Sequence, residues 1–431
     1  MNKQALAFAS CSLGVLFLCG FSMFEPAGLA QNSLAVEPAP ADPVPAVAKD
    51  DAAKRCLEST CRNAPVREKL SAIPLHTNYV RGIFGGFEQG AGIAGGVQLT
   101  SADIIPALEL RATALTSTRY YKRFDLEGYF PNIAGSRNHA DIWFSYMRRE
   151  SDFFGIGPRI SQDLKTTYAT EQRSYQASLY RDITDRLQAG VYTQVTNSYS
   201  LQGQITEDTA INESFSGTPG QLAPWIPGFR SNTKILSNGI FLEYDGRDNT
   251  AGLTRGVNLY GRVASSDGLA NHGAFADYGW TEAEVDLRGY VPLGTRRTSL
   301  AMRSQLELKK PKGGSQIPFY DLSWIGGREY VRGYELYRFR GNNALLFSTE
   351  LRHTVYTRSD TRGVDVFGFA DSGQVWGDAR LAYDDKLSSS NWHSGVGGGF
   401  QYRHSRSLAA RLEVARSNED VLIYVSMSRG F

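Results

Sequence analysis

From Tyr79 onward, apolar and polar residues alternate with a period of two, the pattern of a strand with one apolar and one polar face. Over residues 344–356 the odd positions Leu345, Phe347, Leu351 and Val355 are apolar, and the even positions include Ser348, Glu350, Arg352 and Thr354. Over residues 407–417, Leu408, Ala410, Leu412 and Val414 alternate with Ser407, Arg411 and Glu413. The last run places Val421, Ile423, Val425, Met427 and Phe431 on one face. Sixteen such segments are predicted, at about 79–88, 90–100, 105–118, 119–130, 137–149, 165–182, 184–199 and 234–247, then 256–266, 278–292, 297–309, 344–357, 363–376, 393–404, 407–417 and 420–431.

Soluble sandwiches and propellers also alternate, but they turn the apolar face inward. Here the other face is charged, so sixteen such segments would leave a soluble protein without a core. The expectation is an all-β fold: a 16-stranded antiparallel transmembrane β-barrel of outer-membrane type over residues 79–431, in the bacterial cell outer membrane with lipid against its wall. The joins agree. Those after even-numbered segments are mostly brief, as at residues 182–185 and 403–406, while the two longest, about 200–233 and 310–343, follow odd-numbered segments and fall outside the cell.

The segment before the strands reads as export and linker. Lys3 precedes a mostly apolar run at residues 5–24, and Gly28-Leu29-Ala30 offers a signal-peptidase cut, with Ser33-Leu34-Ala35 as a second candidate. Residues 1–30 are therefore expected to be a signal peptide; an uncleaved anchor helix is the alternative. Bulky Leu16, Phe17 and Leu18 before Cys19 argue against lipoprotein processing. Residues 31–78 read as an Ala/Pro-rich periplasmic linker. It carries Cys56 and Cys61, a possible local disulfide in an oxidising compartment, and too few ligands for a metal.

Composition narrows the chemistry. A formal net charge of +2 over 431 residues gives no reason to expect nucleic acid as a partner. Gly90-Ala91-Gly92-Ile93-Ala94-Gly95 matches a dinucleotide fingerprint in letters, but strand-like sequence follows where a helix is required. The glycines of residues 395–399 lack the Lys-Ser/Thr of a phosphate loop. No G-x-S-x-G and no HExxH occurs, and His353 falls on the outward register. Neither a cofactor nor catalysis is expected.

The most informative residues lie in the second long join. Val331-Arg332-Gly333-Tyr334 places a planar guanidinium beside a glycine free to take conformations closed to other residues. Parity puts Glu350 among the polar even positions of the twelfth segment, and Asp371 two residues after Phe369 on a common face of the thirteenth. By itself this could be scattered lumen charge of the kind porins carry.

These residues resemble the BamA/TamA superfamily of outer-membrane barrels, also called bacterial surface antigen barrels, across residues 79–431. Val331-Arg332-Gly333-Tyr334 is similar to the family's VRG-aromatic motif in the loop after the eleventh strand. Phe369-Ala370-Asp371-Ser372-Gly373 is similar to its F-x-D-x-G, and Glu350 matches its lumen acid. Weaker echoes are Asp245-Gly246-Arg247-Asp248 and Phe153-Phe154-Gly155-Ile156-Gly157; Leu253-Thr254 stand where the family often has a proline. Terminal Phe431 resembles the targeting signal of such barrels.

The resemblance implies that the loop folds into the lumen, that Asp371 and Glu350 pin Arg332, and that Tyr334 packs against the wall. It implies translocation of protein, or lipid, across the outer membrane or insertion into it, without enzymatic activity. Residues 31–78 are too short and proline-rich for a periplasmic POTRA domain, so the expectation is a barrel-only form. A separate periplasmic protein would then capture the unknown client. Glycines at 82, 85 and 86, and Arg429-Gly430-Phe431, suggest weak pairing of the first and last strands and sideways opening; barrel curvature explains them equally well. A passive diffusion channel and a surface-adhesion barrel, the latter using Trp225 between Pro224 and Pro227, are the alternatives.

Overall fold

The computed structural model describes residues 79–88, 92–105, 108–203, 226–248, 255–270, 277–294, 297–359, 362–377, 386–403 and 409–426. The expected signal peptide, linker, Cys56, Cys61, Trp225 and Phe431 lie outside these residues.

The first strands are β1 (Tyr79–Glu88), β2 (Gly92–Ile105), β3 (Leu108–Ser117), β4 (Lys122–Phe130), β5 (Asn138–Phe153) and β6 (Thr166–Asp182). Then come β7 (Leu187–Gln202), β8 (Asn232–Asp245), β9 (Gly256–Ala270), β10 (Gly279–Pro292) and β11 (Thr298–Pro311). Two short strands, β12 (Ser323–Ile325) and β13 (Phe339–Gly341), lie within the next connection. The rest are β14 (Asn343–Thr357), β15 (Gly363–Trp376), β16 (His393–Arg403), β17 (Ala409–Arg416) and β18 (Val421–Ser426).

All but β12 and β13 form one antiparallel sheet of 16 strands in chain order. It is the transmembrane barrel that the alternation predicts, and all sixteen expected segments correspond to its strands. The end strands β1 and β18 come close in space but share no ladder among the described residues.

Strand β10 shows how the wall reverses the soluble rule. On β10, Glu282, Glu284 and Asp286 are buried while Val285, Leu287 and Val291 are exposed, because the outer face meets hydrocarbon and the inner face meets partners. Inside, Arg262 of β9 pairs with Glu282 and Glu284 at 3.2 and 3.1 Å, and Arg303 of β11 with Asp286 at 2.9 Å. Buried charges need such pairing. His353 is on the outward face, with Nδ1 2.8 Å from Thr298 Oγ1. Of the fingerprint letters, Gly92 to Gly95 belong to strand β2.

The connection from β11 to β14 is not the strand-free join that the sequence suggests. It contains a 3-10 turn at Phe319–Asp321 and the β12–β13 hairpin. Phe319, Ile325, Val331 and Phe339 within it are buried. Alternation misses them because the segment packs as an irregular core, not as a strand in a wall.

Candidate functional site

The site is built in layers on β16. Gly397 and Gly399 stand opposite Phe369 and Phe367 of β15. A Cβ on Gly397 would come within 2.5 Å of the Phe369 ring, and one on Gly399 within 3.0 Å of Phe367, so the bare backbone gives the two rings their floor. On the rings lie two guanidiniums: Arg332 with its carbon 3.4 Å from the Phe369 centroid, and Arg411 of β17 4.1 Å from that of Phe367.

The Arg332 fork meets Asp371 two-fold. Nε donates to Oδ2 at 2.6 Å and Nη2 to Oδ1 at 2.8 Å, and the Arg332 backbone N–H donates to Oδ2 at 3.1 Å. Nη1 donates to Glu350 Oε2 at 3.3 Å and to Glu413 Oε1 at 2.9 Å. Glu350 also accepts from Arg411 Nη2 at 3.1 Å and Arg352 Nε at 2.6 Å. Three arginines (332, 352, 411) thus face three acids (350, 371, 413) in one network. Burial opposes charge on the Arg332 guanidinium, but the three carboxylates outweigh it and raise its pKa above the ordinary arginine value.

The backbone around Arg332 is equally constrained. Gly333 has φ +97°, which a side chain would strain, and a Cβ there would come within 2.9 Å of Ser417 N. Its N–H donates to the Tyr424 hydroxyl at 2.9 Å, and Ser417 Oγ donates to its carbonyl at 2.7 Å. A Cβ on Gly395 would run into the Arg332 carbonyl oxygen, and one on Gly373 would sit 3.1 Å from Val331 Cγ2. Tyr334 is buried with Ile325, Val331, Phe339, Leu346 and Val375, and its hydroxyl donates to Asn418.

Further along, Arg338 bonds Glu419 through Nε and Nη2 at 2.7 and 2.8 Å, and Ile160 O at 2.6 Å. Arg340 donates to Tyr168 OH at 2.8 Å and Phe319 O at 3.0 Å. Residues 154–165, the β5–β6 connection, reach across the same opening. Arg159 donates to Asn391 Oδ1 at 2.8 Å and Gln162 to Asp420 Oδ2 at 2.7 Å. Phe153 and Phe154, of the weaker sequence echo, are wholly buried, Phe153 at 5.0 Å centroid distance from Phe319. Arg247 and Asp245, of the other echo, pair at 2.9 Å at a turn on the opposite rim.

The structure brings Arg332, Asp371 and Glu350 together, with Val331, Gly333, Tyr334, Phe369 and Gly373 around them. Glu413, Arg411, Ser348 and Tyr424 also belong, and sequence reasoning did not select them. The alternation marks Arg411 and Glu413 as polar-face residues of their strand. Which inward residues meet across a curved sheet is not a property of alternation. No group of side chains suited to hold a metal occurs among the described residues.

A profile described as the Omp85 superfamily domain matches residues 107–419. A search of curated proteins gave no match. Among solved structures, the chain is similar to BamA from Haemophilus ducreyi lacking POTRA domains 1–3, with TM-score 0.58, 14% identity, and coverage of 88% of this chain and 76% of that one. It is similar to CdiB from Escherichia coli, with TM-score 0.53, 11% identity and coverage of 83% and 62%. For CdiB from Acinetobacter baumannii the values are 0.50, 13%, 80% and 58%. The chain thus spans less than two thirds of either CdiB chain.

Proposed function

The chain belongs to the Omp85 superfamily of outer-membrane barrels, and from that premise we propose that it translocates a polypeptide across the outer membrane or inserts one into it, lipid being the other cargo class. The connection between β11 and β14 acts as a lumen plug, and Arg332 is its pin. The single observation that carries this reading is the Arg332 network, in which a residue of a connection is held by acids from β14, β15 and β17. A passive diffusion channel has no use for a connection tied so densely into its own lumen. The protein works without catalysis, on an unidentified client, and a separate periplasmic protein delivers that client.

Single-channel conductance in planar bilayers tests the plug. Wild type should give a small, flickering conductance, and Arg332→Ala a markedly larger or steadier one. A large, steady conductance indifferent to the substitution would overturn the reading in favour of a diffusion pore.

A further inference from the structure

We propose that the outward face of β4 and β5, at the rim carrying the long connections, binds the phosphate of an anionic outer-leaflet lipid headgroup through Lys122 and Arg148, with Arg119 above them. Lys122 and Arg148 are direct cross-strand partners. Both point away from the lumen: their strand neighbours Arg123, Met147 and Arg149 are buried, whereas Lys122 is exposed and Arg148 half-exposed. Like charges placed directly opposite repel. Neither has an acidic partner among the described residues. Arg148 does stand opposite Glu171 of β6, but that carboxylate accepts from Arg173 Nη2 at 3.0 Å. Arg119, in the exposed turn just before β4, has no acidic partner among the described residues either.

The depth of the pair in the membrane can be read from its neighbours. Two residues toward the other rim, Phe124 faces Tyr146, and beyond it Phe144 faces Tyr175. The Phe124–Phe144 and Phe144–Tyr175 centroids are 6.2 and 5.1 Å apart, forming an aromatic cluster of the kind that marks a membrane interface. Below Tyr146 the outward positions of β5 are Phe144, Ile142 and Ala140. At about 3.4 Å per residue along strands tilted by about 40°, Ala140 to Tyr146 climbs roughly 16 Å, all of it within an apolar band of about 25 Å. The two cations stand one outward step above this aromatic girdle, on the side where lipid phosphates are. A phosphate oxygen between them would relieve their repulsion and accept from both.

The test uses the full chain in detergent and native mass spectrometry, with bis-phosphorylated lipid A and its dephosphorylated form as probes. Wild type should retain the phosphorylated lipid and not the dephosphorylated one. The double variant Lys122→Gln/Arg148→Gln should bind it roughly thirty-fold more weakly, and Arg358→Gln/Arg362→Gln at the opposite rim should bind as wild type. Heat-dependent gel migration checks that the variants fold. If the double variant does not, Lys122→Gln alone is read, with an expected weakening of roughly fivefold. Undiminished retention by the folded variant, equal retention of both lipids, or displacement by inorganic phosphate would each overturn the proposal.

Discussion

Arg332 sits among carboxylates that would repel one another without it. Desolvated charge is costly when unpaired, so removing the guanidinium should destabilise more than the net worth of its bonds. Arg332→Ala should lower stability against urea by about 3 kcal/mol. Arg332→Lys, which keeps the charge but not the fork that meets both Asp371 oxygens, should fall between it and wild type. Asp371→Asn should resemble the lysine variant. Equal stability of all four proteins would mean that water replaces the network at no cost.

Asp321, in the 3-10 turn of the same connection, adds a pH dependence. Burial, with Glu282 nearby, pushes its pKa up from 3.8 to about 7 against the pull of Lys309 and Arg340. The seated connection therefore binds the proton more tightly than the released one does. Its seating is strongest below about pH 4, weakens as pH rises, and levels off above about pH 7. Protease cleavage of the connection should accelerate over that window, and Asp321→Asn should flatten the profile.

At the scale of elements, the strands were legible because each has water-lined or charged surroundings on one side and lipid on the other. That keeps the period of two clean through the sixteen strands of the sheet. The ends were less so: the sequence closes the second segment at residue 100, whereas β2 runs to Ile105, since Ser101, Ala102 and Asp103 blur the pattern. The β12–β13 hairpin was illegible for a different reason. Trp324, Tyr330 and Tyr337 pack on one another with centroids 4.1 and 4.3 Å apart, an arrangement set by tertiary contacts that leaves no periodic mark. The same holds for Glu413, which reaches Arg332 only because the wall curves. The β5–β6 connection gives this scale its prediction. Arg338→Ala removes bonds to both Glu419 and Ile160, so the outer opening should loosen. Conductance should rise while stability changes less than in Arg332→Ala; an unaltered trace would assign the opening no part in closure.

For the molecule as a whole, the formal charge of +2 hides a strongly charged interior whose signs cancel locally. Arg262, Arg288 and Arg303 answer Glu282, Glu284 and Asp286 on one side of the barrel. The network of Arg332, Arg352 and Arg411 answers its own acids on the other. Sequence composition reports the sum and not the distribution. The sideways opening considered from the glycines belongs to this scale too. A disulfide engineered between β1 and β18 should abolish client handling if the two strands must part, and unchanged activity in the locked barrel would exclude it.

The Arg332 network has a mechanical side. Its acids come from β14, β15 and β17, so Arg332, together with Arg411, ties across the lumen three staves of which β17 is separated from the other two by β16. Load on any of them is shared by all three, and the C-terminal side of the wall is stiff.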